Sequence, residues 1–437
     1  MTTSIIIPTH NRQSILRKTL DSLAGQTYPA AQLEVIVVLD GCSDDTHEML
    51  RSYSAPFSLR IIEQDHRGPG AARNLGAQLA KGELLIFLDD DIEAAPGFVQ
   101  AHVNAHQNIS HKVVIGYSHP NLAGQRSYLS LELQSWWEAM FQLMQQPGYR
   151  FRYNDMLSGN FSISRDFFTQ IGGFNTHLSV HEDYELGMRL ILAGAMFAFE
   201  VAALGIHHEQ SDMQRILNRK FQEGIADIRL GRMYPELIST LLAWRLWRYS
   251  LPPSRLLNYL GFTLPRLANG IAAIMMKALP QLETARMLGT WRRVLYGLLG
   301  YWYWKGVAQE LKTLREVKDF LASAPDPTLT RKGAELVIDL SQGLEQAEQI
   351  LDEARPVSAK ICYGNQFIGC MYPEPGAERW HGGHLRPYLL GGSLIPLFEA
   401  LASQGVIQLP LNIEEIPFFQ KTEKLSLAQQ EQSCDSL

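Results

Sequence analysis

The sequence is poor in cysteine: Cys42, Cys362, Cys370 and Cys434 are its only thiols in 437 residues, with no CxxC among them. That spacing excludes a disulfide framework and points to reduced thiols in a reducing compartment. Also missing is a charged, then apolar, leader. The first strand pattern, SIIIPTH, begins at Ser4, so no secretory signal is expected. No run of uncharged apolar residues approaches roughly 18, so no membrane-spanning helix is expected. A net charge of −6 gives the whole chain no footprint for nucleic acid. There is no GxxxxGK[ST] phosphate loop. GPGAAR (68–73) departs from GxGxxG at its third glycine, where Arg73 stands. A P-loop site and a dinucleotide Rossmann site are therefore disfavoured.

What is present is a globular composition, 46% hydrophobic and 19% charged, at a length that suits two or three domains. Over the first hundred residues, strand and helix patterns alternate. The strand runs are SIIIPTH, LEVIVVLD, SLRIIEQ and ELLIFLDDD. RQSILRKTLDSLAGQ, SDDTHEMLRSY, GPGAARNLGAQLAKG and APGFVQAHVNAHQN carry helical spacing. Apolar strands that alternate with helices imply βα units and a parallel sheet covered on both faces. Ligands bind such sheets beyond the carboxyl ends of the strands. Each strand here ends in a polar cluster: Thr9 to Arg12, then Asp40, then Gln64 to Arg67, then Asp89, Asp90 and Asp91. All four clusters should line one edge. A lone aspartate after a strand is ordinarily a turn or cap; four clusters on one edge ask for a ligand.

Three adjacent carboxylates repel one another and call for a positive partner. With the common phosphate loops missing, a hard divalent cation is the candidate, since Mg²⁺ and Mn²⁺ take carboxylates together with substrate phosphates. If the chain stays extended, Asp89 and Asp91 face the same way and Asp90 faces elsewhere.

Taken in order, SIIIPTHNR, VVLDGCSDD, GPGAARNLG, FLDDD, GGFN and HEDYELGMRL resemble the family 2 glycosyltransferases, from residue 3 to about 215. The resemblance implies an α/β GT-A fold, Rossmann-like with a mostly parallel sheet. It also implies an inverting transferase that uses a nucleotide-diphosphate sugar, UDP by preference, and Mn²⁺ or Mg²⁺. On this resemblance Pro8, Thr9, Asn11 and Arg12 lie beside the nucleotide, and Asp40 contacts the base. Arg73 and Asn74 sit near the nucleoside. Asp89 and Asp91 form a DxD motif on ribose and metal, with Asp90 between them. The leucine in VVLDGCSDD departs from the family's common VVDDGSTD and leaves base specificity open.

Inverting displacement needs a base for the acceptor hydroxyl. Asp183 of the ED pair is the candidate, with Glu182 beside it. Acids in a helix's first turn are common enough to need no function. His207 is the first choice for a third metal ligand and His208 the alternative, because adjacent strand residues face opposite ways. Gly159 and Asn160 mark a close backbone approach near sugar and acceptor. Trp136 and Trp137 are either core residues or an aromatic acceptor shelf.

Residues 1–235 are expected to form the catalytic domain. Residues 236–320 form a basic helical region: Arg245 to Lys305 carry nine basic residues and one acid. With Trp244 at its edge, that stretch holds five of the eight tryptophans. Such composition suits helices on a membrane surface, or a helical subdomain packed on the catalytic part. Arg255, Arg266 and Lys277 would share a face on one continuous helix, against which Pro265 argues. Residues 321–425 read as a small α+β accessory domain, with ASAPDPTLT as linker, helices over 333–354 and 385–404, and a hairpin turning at Gly364-Asn365. Residues 426–437 read as a tail. Cys362, Cys370, His381 and His384 fit no usual zinc spacing. The leading expectation is a cytoplasmic glycosyltransferase, peripheral on the inner face of a membrane, with a glycan or lipid-linked acceptor and no nucleic-acid partner. A nucleotidyltransferase would want a glycine-rich, lysine-bearing loop after the first strand, and PTHNRQS has neither. A non-catalytic sugar-nucleotide-binding module would not need Asp89, Asp91 and Asp183 together.

Overall fold

The computed structural model describes residues 1–107, 111–121, 127–208, 212–250, 252–325 and 336–407. The expected tail, 426–437, and the second half of the expected linker lie outside the described residues. The chain divides into two units. One is Met1–Lys332 with Pro373–Arg379; the other is Gly333–Tyr372 with Trp380–Leu437.

The first unit opens with three βα steps and a fourth strand: β1 (Thr3–Thr9), α1 (Gln13–Ala24), β2 (Leu33–Asp40), α2 (Thr46–Ser52), β3 (Ser58–Gln64), α3 (Pro69–Leu79) and β4 (Leu84–Leu88). After β4 come β5 (Ile92–Ala94), α4 (Phe98–Ala105), β6 (Lys112–Pro120), α5 (Tyr128–Met144), β7 (Asn160–Ser164), α6 (Arg165–Ile171), α7 (Glu182–Leu192) and β8 (Met196–His207). They build one eight-stranded sheet of order β3-β2-β1-β4-β7-β6-β8-β5. The β3-β2-β1-β4 half is parallel. β7 runs antiparallel to both β4 and β6, and β5 antiparallel to β8, so the sheet is mixed beyond β4. Every residue of β1, β2 and β4 is buried, as expected of strands covered on both faces. One core lies on each face: Ile6, Ile36, Val38, Leu85 and Phe87 on one, Ile5, Ile7, Val35, Val37 and Ile86 on the other. The period-2 alternation of side chains sends neighbours in one strand to opposite cores.

Beyond β8 the chain is helical: α8 (Met213–Met233), α9 (Leu242–Tyr249), α10 (Pro252–Thr263), α11 (Pro265–Thr284), α12 (Leu288–Glu310) and α13 (Leu314–Ala322). Pro265 starts α11, so Arg255, Arg266 and Lys277 do not lie on one continuous helix. α8 and α12 pack backbone to backbone where two glycines meet. A Cβ on Gly224 would stand 2.1 Å from the carbonyl oxygen of Tyr303, and one on Gly306 would stand 1.9 Å from that of Phe221. No side chain can turn aside from a backbone oxygen, so glycine is obligatory at this crossing. No helix among the described residues is long and apolar enough to cross a membrane.

The second unit holds β9 (Leu336–Asp339), α14 (Leu344–Ala354), β10 (Ala359–Tyr363), β11 (Gln366–Met371), α15 (Leu385–Tyr388) and α16 (Leu394–Ser403). β10 and β11 form the expected hairpin, with Gly364 left-handed at φ +56° and its amide on Asp339 Oδ1 at 2.8 Å. Part of the helix expected over 333–354 is instead β9, which pairs with β10. Leu336, Val337 and Ile338 suit a strand, and Gly343 at φ +110° separates them from α14.

On α4, His102 is fully buried, with its ring nitrogens 2.8 Å from Ser162 Oγ and 3.0 Å from Asn160 Oδ1; His106 Nε2 lies 2.8 Å from the same Ser162 oxygen. Burial drives His102 down to about 3 and His106 to about 4, so both imidazoles stay neutral in the fold. An unfolded chain takes up these protons below roughly 6.5. Stability is thus fully present above that pH and falls as the pH drops toward 4. Urea midpoints at pH 7 and pH 5 should differ, and His102→Gln should flatten the difference. Gly306→Ala should lower the midpoint, by about 1–3 kcal/mol as overpacking does. Gly300→Ala, on the same helix with open space around its Cβ, should be neutral or raise it.

Candidate active site

The carboxyl ends of β1, β2, β3 and β4 do converge. β1 ends at Thr9, whose hydroxyl donates to Asp90 Oδ2 at 2.7 Å. The next residues lead into α1 and carry Arg12, whose Nη1 lies 2.6 Å from Asp90 Oδ1 and 2.8 Å from Asp91 Oδ2. Arg73, buried in α3, donates through Nη2 to Asp89 Oδ1 at 2.7 Å and through Nη1 to Glu182 Oε1 at 3.2 Å. The three aspartates are therefore answered by two guanidiniums. This differs from the extended alternation read from the sequence. β4 stops at Leu88, and the amide of Ile92 bonds Asp89 O at 3.2 Å in a turn. Asp90 and Asp91 consequently share Arg12, while Asp89 belongs to Arg73. Burial lifts Asp90 to about 6 despite Arg12 and Thr9. Burial also opposes the charge of Asp91, but His207 and Arg12 outweigh it and keep that carboxyl below the ordinary range.

β8 ends at His207, whose Nε2 lies 3.5 Å from Asp91 Oδ1; His208 turns away to Glu93, 2.6 Å from Nε2 to Oε2. Adjacent strand residues face opposite ways, and that separates the two imidazoles. Asp91 Oδ1 and His207 Nε2 thus face each other, while Asp91's other oxygen is held by Arg12. A carboxylate and an imidazole are ligand types that Mn²⁺ or a similar divalent ion takes. Asp89 stands beside them, its side chain 35% exposed. Gly159 lies against it: a Cβ there would meet Asp89 Oδ2 at 2.7 Å, and its carbonyl accepts from the Asp89 amide at 2.9 Å.

Several polar residues read from the sequence as ligand contacts have their groups committed within the protein. Asp40 accepts from Gln64 Nε2 at 2.7 Å, Arg67 N at 2.8 Å and Gly68 N at 2.9 Å. Burial would raise it, but these donors and His66 hold it below the ordinary carboxylate range. Its carboxylate orders the loop before α3. The exposed groups beside it are the rings of His10 and His66, 4.5 Å apart. Asn11, left-handed at φ +53°, accepts from the amides of Ser43 at 2.7 Å and Asp44 at 3.2 Å. Asn74 makes two 2.8 Å bonds to the backbone of Phe174, one in each direction, so its amide faces that loop and not a nucleoside. Asn160 is 2% exposed, bonded to His102 and to Ala203 O at 3.1 Å; it closes the sheet behind the site and does not reach a sugar. Pro8 is buried within β1, between β2 and β4.

α7 begins at Glu182, and His181 before it adopts a left-handed φ of +62°. Burial, then the neighbouring Asp183, lift Glu182 to about 7 against the pull of Arg73. Asp183 is half-buried and accepts from the amide of Tyr184 at 2.9 Å. Burial raises its pKa, opposed by His181, Arg219 and Arg73. Behind it lies a buried relay that sequence reasoning missed. His181 stacks on Tyr184, ring centres 4.3 Å apart, and its Nδ1 lies 3.2 Å from Asp227 Oδ1. Asp227 also accepts from the hydroxyl of Tyr303. The signal was available: Asp227 is a lone acid in the small and apolar run GIADI, on a helix otherwise rich in charge. Trp137 places its ring 6.2 Å from that of His207 and 4.9 Å from that of Trp136, which is 52% exposed.

A family model described as glycosyl transferase family 2 matches residues 4–172, and one described as the N-terminal domain of galactosyltransferase matches residues 138–210. A validoxylamine A glucosyltransferase of Streptomyces hygroscopicus subsp. limoneus is 31% identical over 242 residues, 48% of this chain and 52% of the relative. Glycosyltransferase AglE of Haloferax volcanii is 28% identical over 251 residues, 56% of this chain and 79% of the relative. This chain thus spans about half the length of the first relative. Among solved structures, the mannosyltransferase PcManGT from Pyrobaculum calidifontis, in complex with GDP-Man and Mn²⁺, matches at 18% identity and a TM-score of 0.44, over 68% of this chain and 85% of that one.

Burial lowers the pKa of His181, but the nearby Asp227 carboxylate outweighs it and raises the imidazole above its ordinary value. Removing that carboxylate leaves burial alone. In Asp227→Asn, the His181 ring protons followed by NMR should titrate at lower pH than in the wild type.

Proposed function

We propose that this chain, which carries a family 2 glycosyltransferase domain of the GT-A fold, moves a sugar from a nucleotide-diphosphate sugar to an acceptor hydroxyl with inversion at the anomeric carbon. One observation carries the reading. An acidic strand-end cluster that includes the Asp91–His207 pair is joined through Arg73 and Glu182 to a separate carboxylate of raised pKa, Asp183. A donor diphosphate and a proton acceptor need such separate places.

The donor lies across the ends of β1 to β4. The rings of His10 and His66 flank the base, and UDP is the first nucleotide to test. Asp91 and His207, with Asp89 beside them, would hold Mn²⁺ or Mg²⁺, which stabilises a departing diphosphate as a Lewis acid. Arg12 and Arg73 orient the carboxylates. Asp183 takes the acceptor proton while the hydroxyl oxygen bonds the anomeric carbon and the bond to the diphosphate breaks. A carboxylate lifted by burial is a better base near neutral pH than one in water. Trp136 and Trp137 form the acceptor shelf beside His207, for a glycan or a lipid-linked acceptor. Exposed Leu256, Leu267 and Ile274 on α10 and α11 and Leu264 between them, among Arg255, Arg266 and Lys277, support contact with an anionic membrane surface. A cytoplasmic location on the inner face follows from that reading.

Calorimetric titration with UDP, GDP and dTDP, each with and without Mn²⁺, tests the donor side. One nucleotide should bind only with metal, and Asp91→Ala should lose the metal dependence. Asp183→Asn should keep that binding while transfer falls about 10²-fold or more. Metal-independent binding, or full turnover by Asp183→Asn, would refute the assignment.

A further inference from the structure

Away from the sheet edge, α9, α10, α12 and the start of α13 enclose a cavity of about 390 Å³, within the range of small-molecule sites, roughly 300–1,000 Å³. Its wall is mainly apolar and aromatic: Leu246, Trp247, Tyr259, Phe262, Trp304 and Leu314. Asn258 and Arg255 complete it. The indole N–H of Trp304, a residue only 4% exposed, has no hydrogen-bond partner among the described residues, and neither has Asn258 Oδ1. A buried donor and a buried acceptor left unpaired on the same wall are uncommon, because each forfeits its hydration. Trp247 and Phe262 place their rings 6.1 Å and 6.2 Å from that of Trp304, so its apolar faces are packed while its N–H is not paired.

We propose that this cavity binds a membrane lipid, an alkyl chain against the aromatic wall and an anionic phosphate head at Arg255. Charge selects the head: Arg245 to Lys305 carry nine basic residues against Glu283 alone, and among the described residues no acid lines the cavity. A sugar is the poorer occupant. Its several hydroxyls would need several partners, and this wall is mainly apolar and aromatic. The helices that form the cavity also carry exposed Tyr249, Leu256 and Tyr259, so a chain leaving it meets apolar surface. The inference does not depend on the transferase reading.

The test is calorimetric titration of the full chain with dodecyl phosphate below its micelle concentration, against dodecanol and inorganic phosphate. Dodecyl phosphate should bind saturably, dodecanol about tenfold more weakly, and inorganic phosphate not measurably. Arg255→Gln should bring dodecyl phosphate down to the level of dodecanol. Leu246→Trp, or Leu314→Phe on another helix should the first not fold, should abolish both while metal-dependent nucleotide binding and the thermal midpoint persist. Flotation with vesicles containing phosphatidylglycerol should weaken in the same variants. Absence of saturable binding, binding indifferent to all three substitutions, or equal binding of inorganic phosphate would overturn the proposal.

Discussion

Three consecutive aspartates at the end of a buried strand repel one another, and the site depends on how that repulsion is contained. Arg12 and Arg73 contain it from opposite sides, each with two carboxylates within 3.2 Å. Both arginines come from βα turns or helices that the parallel half of the sheet brings to one edge. A buried ion pair contributes little net stability, but removing one partner leaves an uncompensated charge and is severe. Such a cluster resists piecemeal change, and it pins α1, α3 and α7 to the end of β4. His207 adds β8 to the same point through Asp91.

A second constraint lies far away in sequence. The candidate base sits on the first turn of α7, while the groups behind it come from α8 and α12. Those helices approach closely enough for Tyr303 to reach Asp227 only because Gly224 and Gly306 carry no side chains. Asp227 in turn holds His181, and His181 moderates the burial of Asp183. Helix packing beyond the family-matched residues thereby bears on Asp183, the candidate base.

The same physical rule explains where sequence reading succeeded and where it failed. Strands that end in polar clusters were visible because apolar runs and turn residues are local signals. That His207 and His208 face opposite ways followed from the two-residue period of a strand. Asn74 and Asn160 resembled ligand contacts because an amide's character is the same whether it faces a sugar or a buried carbonyl. Which of the two it meets depends on neighbours a hundred or forty residues distant. The strand at 336–339 was hidden for a similar reason: its partner, β10, lies beyond an intervening helix.

The sequence by itself determined the parallel half of the sheet, the edge on which its polar ends collect and the hairpin at Gly364, because hydrophobic period and turn chemistry act over a few residues. Only the tertiary structure decided which charges meet. The turn after Leu88 assigns Asp90 and Asp91 to Arg12 and leaves Asp89 to Arg73, and the glycine crossing brings Asp227 under His181. Pairing of this kind depends on angles between elements, and those are set by the packing of the whole unit and by no stretch within it.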